Sequence, residues 1–203
     1  MEFVNSGGPL QEEHRERATT TEQPEIRRLN WGCGGMSKAG WINSDRADFK
    51  GIDIVADILE GLPIDSNSID YAVSNHALPE IPYPNLVPTL EELRRVLKAG
   101  GVLRLELPDL EKAIRAYVAG DTEYFQLIPE DDAQTIGGKL VTQMLWYGWS
   151  RSLFTHDFVE ELLLKAGFSR VNRCSYLQTA SPFPEIVALD SRERESLYVE
   201  AIK

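Results

Sequence analysis

The chain predicts an α/β domain built on a mainly parallel sheet, and three observations carry that expectation. From Ile26 onward, short apolar segments alternate with segments of helical period, the pattern of strands joined by crossover helices. The apolar run Leu29-Asn30-Trp31 breaks into Gly32-Cys33-Gly34-Gly35, as a strand does where the backbone turns sharply or approaches a ligand closely. With 203 residues and 42% hydrophobic content, the chain can bury one core and has little left for a second.

Residues 1–24 are rich in Gly, Glu, Arg and Thr with little apolar periodicity, the composition of a flexible solvated tail, so the single domain is expected over residues 25–203. Strands are predicted near residues 27–31, 41–44, 53–56, 69–75 and 101–107. Only Met36 to Gly40 separate the glycine turn from Trp41, room for about one helical turn at roughly 3.6 residues each, so the first crossover helix is vestigial. Thr89-Leu90-Glu91-Glu92 reads as a capping box, with Leu90, Leu93, Val96 and Leu97 forming an apolar face before a stop at Ala99-Gly100-Gly101. Residues 117–154 concentrate aromatic side chains around Gly137-Gly138 and read as an inserted helical lid. Thr155 is placed to cap a late helix with Phe158, Val159, Leu162 and Leu163 facing inward and Gly167 at its end. Val171 to Tyr176 follows as a strand. The last strand, around Leu197 to Ile202, carries apolar residues on both faces and is expected to be buried on both.

The formal net charge of -11 disfavours a nucleic-acid partner, whose affinity depends on Lys and Arg displacing phosphate counterions. A small-molecule acceptor fits better. Cys33 and Cys174 lie far apart in neither a CxxC nor a metal-ligand spacing, so no disulfide framework and no metal site are expected. No stretch approaches the roughly 18 consecutive apolar residues of a membrane span, and no N-terminal apolar core suggests a signal peptide, which points to the cytoplasm.

Asp45 ends the second predicted strand, ten residues after Gly35, where a carboxylate can accept from two ribose hydroxyls. The turn and Asp45 together read as a nucleoside site. Four further segments follow in order: Val55-Ala56-Asp57-Ile58, Leu62-Pro63-Ile64, Ser68-Ile69-Asp70-Tyr71-Ala72-Val73, and Glu92-Leu93-Arg94-Arg95-Val96-Leu97-Lys98-Ala99-Gly100-Gly101-Val102-Leu103. With this ordered set, residues 26–203 resemble the class I S-adenosylmethionine-dependent methyltransferases. The resemblance implies a Rossmann-like, doubly wound, mostly parallel seven-stranded sheet with helices on both faces and S-adenosylmethionine at the carboxyl ends of the first strands. It places Gly32, Cys33 and Gly34 along the methionine moiety, Asp45 on the ribose, Asp57 and the Ile58 N–H on adenine, and Asn75 among the cofactor contacts. As residues alone, Asp45 and Asp57 also fit turn or helix-cap aspartates; the spacing favours the cofactor roles. Asn30 and Met36 depart from the family pattern, which has an acidic residue and a glycine at those positions. A dinucleotide would need the missing first helix for its pyrophosphate, so NAD is disfavoured.

His76, after the fourth strand, is where the family brings acceptor and methyl group together, and His156 at the start of the late helix could reach the same mouth; both are candidate bases, as strand-end packing or helix-start surface is the alternative for each. Glu80 and Asp109 are fallback bases. Tyr124, Trp146, Tyr147 and Trp149 are candidates for the acceptor pocket, while Phe154 and Phe158 are assigned to core. Arg28, Lys38 and Arg46 are candidates for the cofactor carboxylate. Pro108-Asp109-Leu110 and the short first crossover resemble enzymes of sugar and glycolipid assembly, which suggests a hydroxyl-bearing sugar or lipid-linked acceptor. Another metabolite, a protein side chain, or a methyltransferase-like module without turnover are the alternatives.

Overall fold

In the computed structural model, which describes residues 25–203, seven strands share one sheet. The tail expected over residues 1–24 lies outside the described residues. The strands are β1 (Arg28–Trp31), β2 (Ile42–Asp45), β3 (Ile54–Val55), β4 (Ile69–Asn75), β5 (Leu97–Pro108), β6 (Arg170–Cys174) and β7 (Ser196–Ile202). Their order is β3-β2-β1-β4-β5-β7-β6, parallel from β3 to β5, with β7 antiparallel to both β5 and β6. Because β7 runs backwards, its first residue, Ser196, pairs with Pro108 and lies at the same edge as the carboxyl ends of the parallel strands. That edge is where ligands bind in open α/β sheets.

Four α-helices complete the frame: α1 (Leu86–Val96), α2 (Leu110–Ala119), α3 (Ile136–Leu145) and α4 (His156–Lys165). α1 and α4 cover one face, where Leu90, Leu93, Val159 and Leu163 join Leu29, Leu103, Leu105 and Val199 in the main core. The opposite face is covered by a strap, residues 175–195, whose 3₁₀ helix Pro184–Leu189 places Ile186 against Trp41, Tyr71, Val73 and Val102. Three carboxylate clusters fasten it. Arg104, fully buried on β5, donates to both Asp190 oxygens (2.7 and 2.6 Å), to Glu200 (2.7 Å) and to the Gln178 and Ser175 carbonyls. Glu106 accepts from the Ser191 N–H (3.0 Å) and hydroxyl (2.9 Å). At the strap's outer end Arg28 pairs with Glu185.

No helix joins β1 to β2. Two buried amides hold that crossover instead. Asn30 donates to the Met36 carbonyl (3.2 Å) and to Asn43 Oδ1 (3.2 Å), while Asn43 accepts the Lys38 N–H (2.8 Å) and donates to the Lys38 and Trp41 carbonyls (3.1 Å each). The two amides thereby satisfy backbone groups that a helix would have paired internally.

Several element boundaries differ from expectation. α1 starts at Leu86, so Thr89 is a buried interior residue and no capping box forms. The start signal is Pro88, which sits in the first turn where its missing N–H costs nothing. Glu92 instead binds Arg95 (2.7 Å) and the Leu62 N–H (2.6 Å), tying α1 to the β3–β4 connection. β5 begins at Leu97 rather than 101, because Leu97 is already extended (ψ 143°) and the Gly100 bend (φ +75°) lies inside the strand. Thr155 precedes α4, but its hydroxyl turns to Asp157 instead of capping a backbone N–H. Residues 117–154 carry a short 3₁₀ turn (Thr122–Phe125), α3 and a second 3₁₀ turn (Trp146–Gly148). Tyr124, Phe125 and Met144 in this segment pack on Ala113 and Ala116 of α2 as a separate small core. Among the described residues, no helix is long and apolar enough to cross a membrane.

Candidate functional site

A cavity of about 830 Å³ opens at the carboxyl ends of the parallel strands, and all seven residues assigned to the cofactor line it: Gly32, Cys33, Gly34, Asp45, Asp57, Ile58 and Asn75. The glycine turn is fixed from β2. The Gly32 and Cys33 N–H groups donate to the Ser44 carbonyl (2.8 and 3.2 Å), and the Gly34 N–H donates to Asp45 Oδ2 (2.8 Å). Asp45 Oδ1 accepts the Ala47 N–H at 2.9 Å, so each carboxylate oxygen is aimed by one backbone donor and keeps capacity for a ligand hydroxyl.

Two glycines are required here for different reasons. Gly32 has φ +66°, and a Cβ added to it would stand 2.2 Å from the Ala77 Cβ, so the turn and the segment after β4 touch. Gly34 has φ +52° and an added Cβ would meet nothing within 4 Å. That open space is where a ligand can approach the backbone.

Asp57 closes the other end of the cavity. It caps the 3₁₀ turn Ile58–Glu60, with Oδ1 accepting the Leu59 N–H (2.9 Å); the cap occupies one oxygen and leaves the other able to accept from a ligand. Asn75 donates to the Leu189 carbonyl, and its Oδ1 is buried without a partner. An unpaired buried acceptor beside a cavity can take a donor from a ligand or from ordered water. Cys33 is buried, and its thiol is pushed up to about 11 by burial first and by the Asp45 and Asp53 charges next. It is a wall residue, not a nucleophile. Of the three candidate carboxylate partners, Arg46 lines the cavity and pairs with Glu80 (3.2 Å), whereas Arg28 and Lys38 hold the strap at Glu185 and the Ala188 carbonyl.

The acceptor-end candidates divide. His76, Glu80, Trp146 and Trp149 line the cavity; His156, Tyr124 and Tyr147 do not. His156 starts α4 with Nε2 buried and unpaired. Tyr124 is 6% exposed within the α2–α3 core, and Tyr147 lies outside, donating its hydroxyl to Asp132 (2.6 Å). Asp109 is fully buried as the N-cap of α2, accepting the Lys112 N–H at 3.0 Å, which removes it as a fallback base. Glu80 keeps that possibility, with burial raising its carboxyl above the usual range against the opposing Arg46 charge.

Sequence reasoning missed the strap's contribution. Arg192 places its guanidinium over the Trp146 ring (5.4 Å to centroid), and Glu195 lines the same wall with its carboxyl raised, chiefly by burial. Glu106 and Ser196 stand behind His76, with Nε2 3.0 Å from Ser196 Oγ and 3.4 Å from Glu106 Oε1. The only signal was the run Ser191-Arg192-Glu193-Arg194-Glu195-Ser196, which by charge alone looks like a solvated loop.

Residues 34–105 match the model of a family described as methyltransferase domain. The match spans roughly a third of the chain and supports a methyltransferase. The residues present fit S-adenosylmethionine as the methyl donor: carboxylates at two strand ends, an open glycine turn and an unpaired buried acceptor at Asn75. Among solved structures, an S-adenosylmethionine-dependent methyltransferase from Thermotoga maritima is similar at 18% identity, covering 90% of this chain and 84% of that one with a TM-score of 0.55. An S-adenosylmethionine-dependent methyltransferase from Archaeoglobus fulgidus is similar at 14% identity over 88% and 86% of the two chains, TM-score 0.53. A Haloferax volcanii chain solved in complex with a methyltransferase activator is similar at 15% identity over 88% and 82%, TM-score 0.52. These likenesses establish the shared fold. A search of curated proteins finds no match.

Proposed function

We propose that this methyltransferase acts on a small hydroxyl-bearing acceptor, with sugar and glycolipid precursors as the first candidates. The observation that carries the reading is the division of one cavity into two chemistries. Its β1–β3 side presents Asp45 and Asp57 to a nucleoside. Its other side combines the Trp146 and Trp149 rings with Arg151, Glu80, Arg192 and Glu195. Aromatic faces flanked by charged hydrogen-bonding groups suit a ring that is apolar on its faces and hydroxylated on its edge.

On this reading Gly32, Cys33, Gly34 and Asn75 hold the methionine portion of the donor, Asp45 its ribose, and Asp57 with Ile58 its adenine. The donor supplies an electrophilic methyl group when bound. The chain aligns the acceptor oxygen with it, excludes water, and provides His76 to take the hydroxyl proton. Residues 117–154, through Trp146 and Trp149, cover the acceptor end.

The test is transfer from methyl-labelled S-adenosylmethionine to a panel of sugars, nucleotide sugars, glycolipids and amines, with products identified by mass spectrometry. Label on a hydroxyl oxygen, lost by roughly 10²- to 10⁴-fold in His76→Ala with S-adenosylhomocysteine affinity retained, supports the reading. Label on amines alone, or donor binding without transfer to any hydroxyl, overturns it.

A further inference from the structure

His76 is held by groups that decide which of its ring nitrogens carries the proton. The deciding residue is Glu106, fully buried on β5. Its carboxylate collects three donors: the Ser191 N–H on Oε2 (3.0 Å), and the Ser191 hydroxyl (2.9 Å) and Ser196 hydroxyl (3.0 Å) on Oε1. A carboxylate in such a setting accepts and does not donate. Ser196 has a single hydroxyl proton, and Glu106 takes it. What Ser196 Oγ then offers His76 Nε2, 3.0 Å away, is a lone pair. Nε2 must therefore carry the hydrogen, and Glu106 Oε1, 3.4 Å from the same nitrogen, reinforces that choice. The backbone is held at the same place: His76 sits at φ +54°, a conformation disfavoured for a residue with a Cβ, and its N–H donates to the Glu106 carbonyl at 2.9 Å. Strained backbone of this kind persists where the surroundings over-determine it.

We infer that Glu106, acting through Ser196, fixes His76 in the Nε2–H tautomer and leaves Nδ1 as the atom that accepts the proton of the methyl acceptor's hydroxyl. The inference rests on the methyltransferase reading above and deepens it. In the step it serves, the acceptor oxygen passes its proton to Nδ1 as it bonds to the methyl carbon, and the electron pair of the broken sulfur–carbon bond stays on sulfur. The resulting imidazolium faces Glu106 through Nε2–H, and Nδ1 later returns its proton to water. Arg192 and Glu195 are the other charged groups at this wall. Glu106 touches neither donor nor acceptor; it is a positioning residue.

Replacing the carboxylate by its amide gives a sharp test. In Glu106→Gln the Ser191 N–H still needs an acceptor where Oε2 was, so the amide oxygen goes there and the NH₂ takes the Oε1 position. It then donates to Ser196 Oγ, which turns its own proton to His76 Nε2. The relay runs backwards and the tautomer becomes Nδ1–H.

Ring ¹⁵N NMR of histidine-labelled protein, with His76 assigned from the spectrum of His76→Ala, reads this directly. The expected pattern is Nε2–H in the neutral wild-type ring, Nδ1–H in Glu106→Gln, and a mixture of the two in Ser196→Ala, which breaks the relay without a buried carboxylate losing its other partners. Glu106→Gln should also lower methyl transfer by about 10²-fold or more while S-adenosylhomocysteine still binds. An Nδ1–H tautomer in the wild type, or Nε2–H kept by every variant, overturns the inference. If Glu106→Gln does not fold, Ser196→Ala decides: a purely Nε2–H ring there would put the choice on the direct Glu106 contact and overturn the relay through Ser196. Failure of the function reading shows elsewhere, as wild-type spectra that S-adenosylhomocysteine leaves unchanged.

Discussion

Replacing Asp45 by Ala should weaken S-adenosylhomocysteine binding and loosen the glycine turn, by separable amounts. Losing charge-assisted hydrogen bonds to a ribose removes about 1.5 to 3 kcal/mol, or roughly 10- to 150-fold in Kd. The same carboxylate accepts the Gly34 N–H at 2.8 Å and the Ala47 N–H at 2.9 Å, and at about 0.5 to 1.5 kcal/mol each their loss costs roughly 1 to 3 kcal/mol of folding stability. For a domain of this size that is a fall in Tm of about 2 to 12 °C. Asp45→Asn keeps one acceptor oxygen and should fall between. Isothermal titration calorimetry with S-adenosylhomocysteine, beside thermal denaturation of the free proteins, measures both effects. A folded Asp45→Ala protein whose Kd stays within about twofold of wild type would refute the reasoning and leave Asp45 as a turn residue; an unchanged Tm would refute the clamp on Gly34.

Two more perturbations probe the frame around the site. Arg104→Met strands Asp190 and Glu200 without a cation in the interior and should cost about 3 to 5 kcal/mol in urea denaturation, against about 0 to 1 for the exposed Arg46→Ala; equal losses would mean that the strap is held by its apolar residues alone. Burial pushes both thiols, Cys33 and Cys174, up to about 11. At pH 8 the native thiolate fraction is then about 100-fold below that of an ordinary cysteine, so alkylation should need unfolding or a more alkaline buffer, and prompt labelling of the native protein at pH 8 would contradict the burial argument.

The carboxyl-edge site was legible because its parts are local. A glycine turn, an acidic residue ending the next strand and an Asp-Ile pair after the third occupy short windows whose geometry the neighbouring strand fixes, and all seven residues so assigned meet in one cavity. The vestigial crossover followed from counting residues between Gly35 and Trp41. The side proposed to take the acceptor was less legible for a physical reason. Tyr124 and Tyr147 are aromatic residues of the same segment as Trp146 and Trp149, but only tertiary packing decides which turn inward, and nothing in their spacing separates a residue under α2 from one over the cavity. Thr89 misled because a capping box and an interior turn with Pro88 upstream look alike in composition. Arg192 and Glu195 were invisible because they reach the site only through the reversal of β7, which turns a charged loop into a cavity wall.

That reversal also explains how the sheet tolerates its missing helix. With no helix between β1 and β2, the face of Tyr71, Val73 and Val102 would stand open, and the strap closes it with Ile186 and the 3₁₀ helix Pro184–Leu189. A cover with so little regular backbone pairing of its own must be fastened by side chains, and Arg104 and Glu106 supply the buried contacts. Glu106 spends its carboxylate on both tasks at once, accepting from Ser191 of the strap and from Ser196 behind His76. One buried group therefore links the strap at Ser191 to the candidate base, and a substitution that frees Ser191 should disturb His76 before it reaches Asp45 or Asp57 on the β2–β3 side of the cavity.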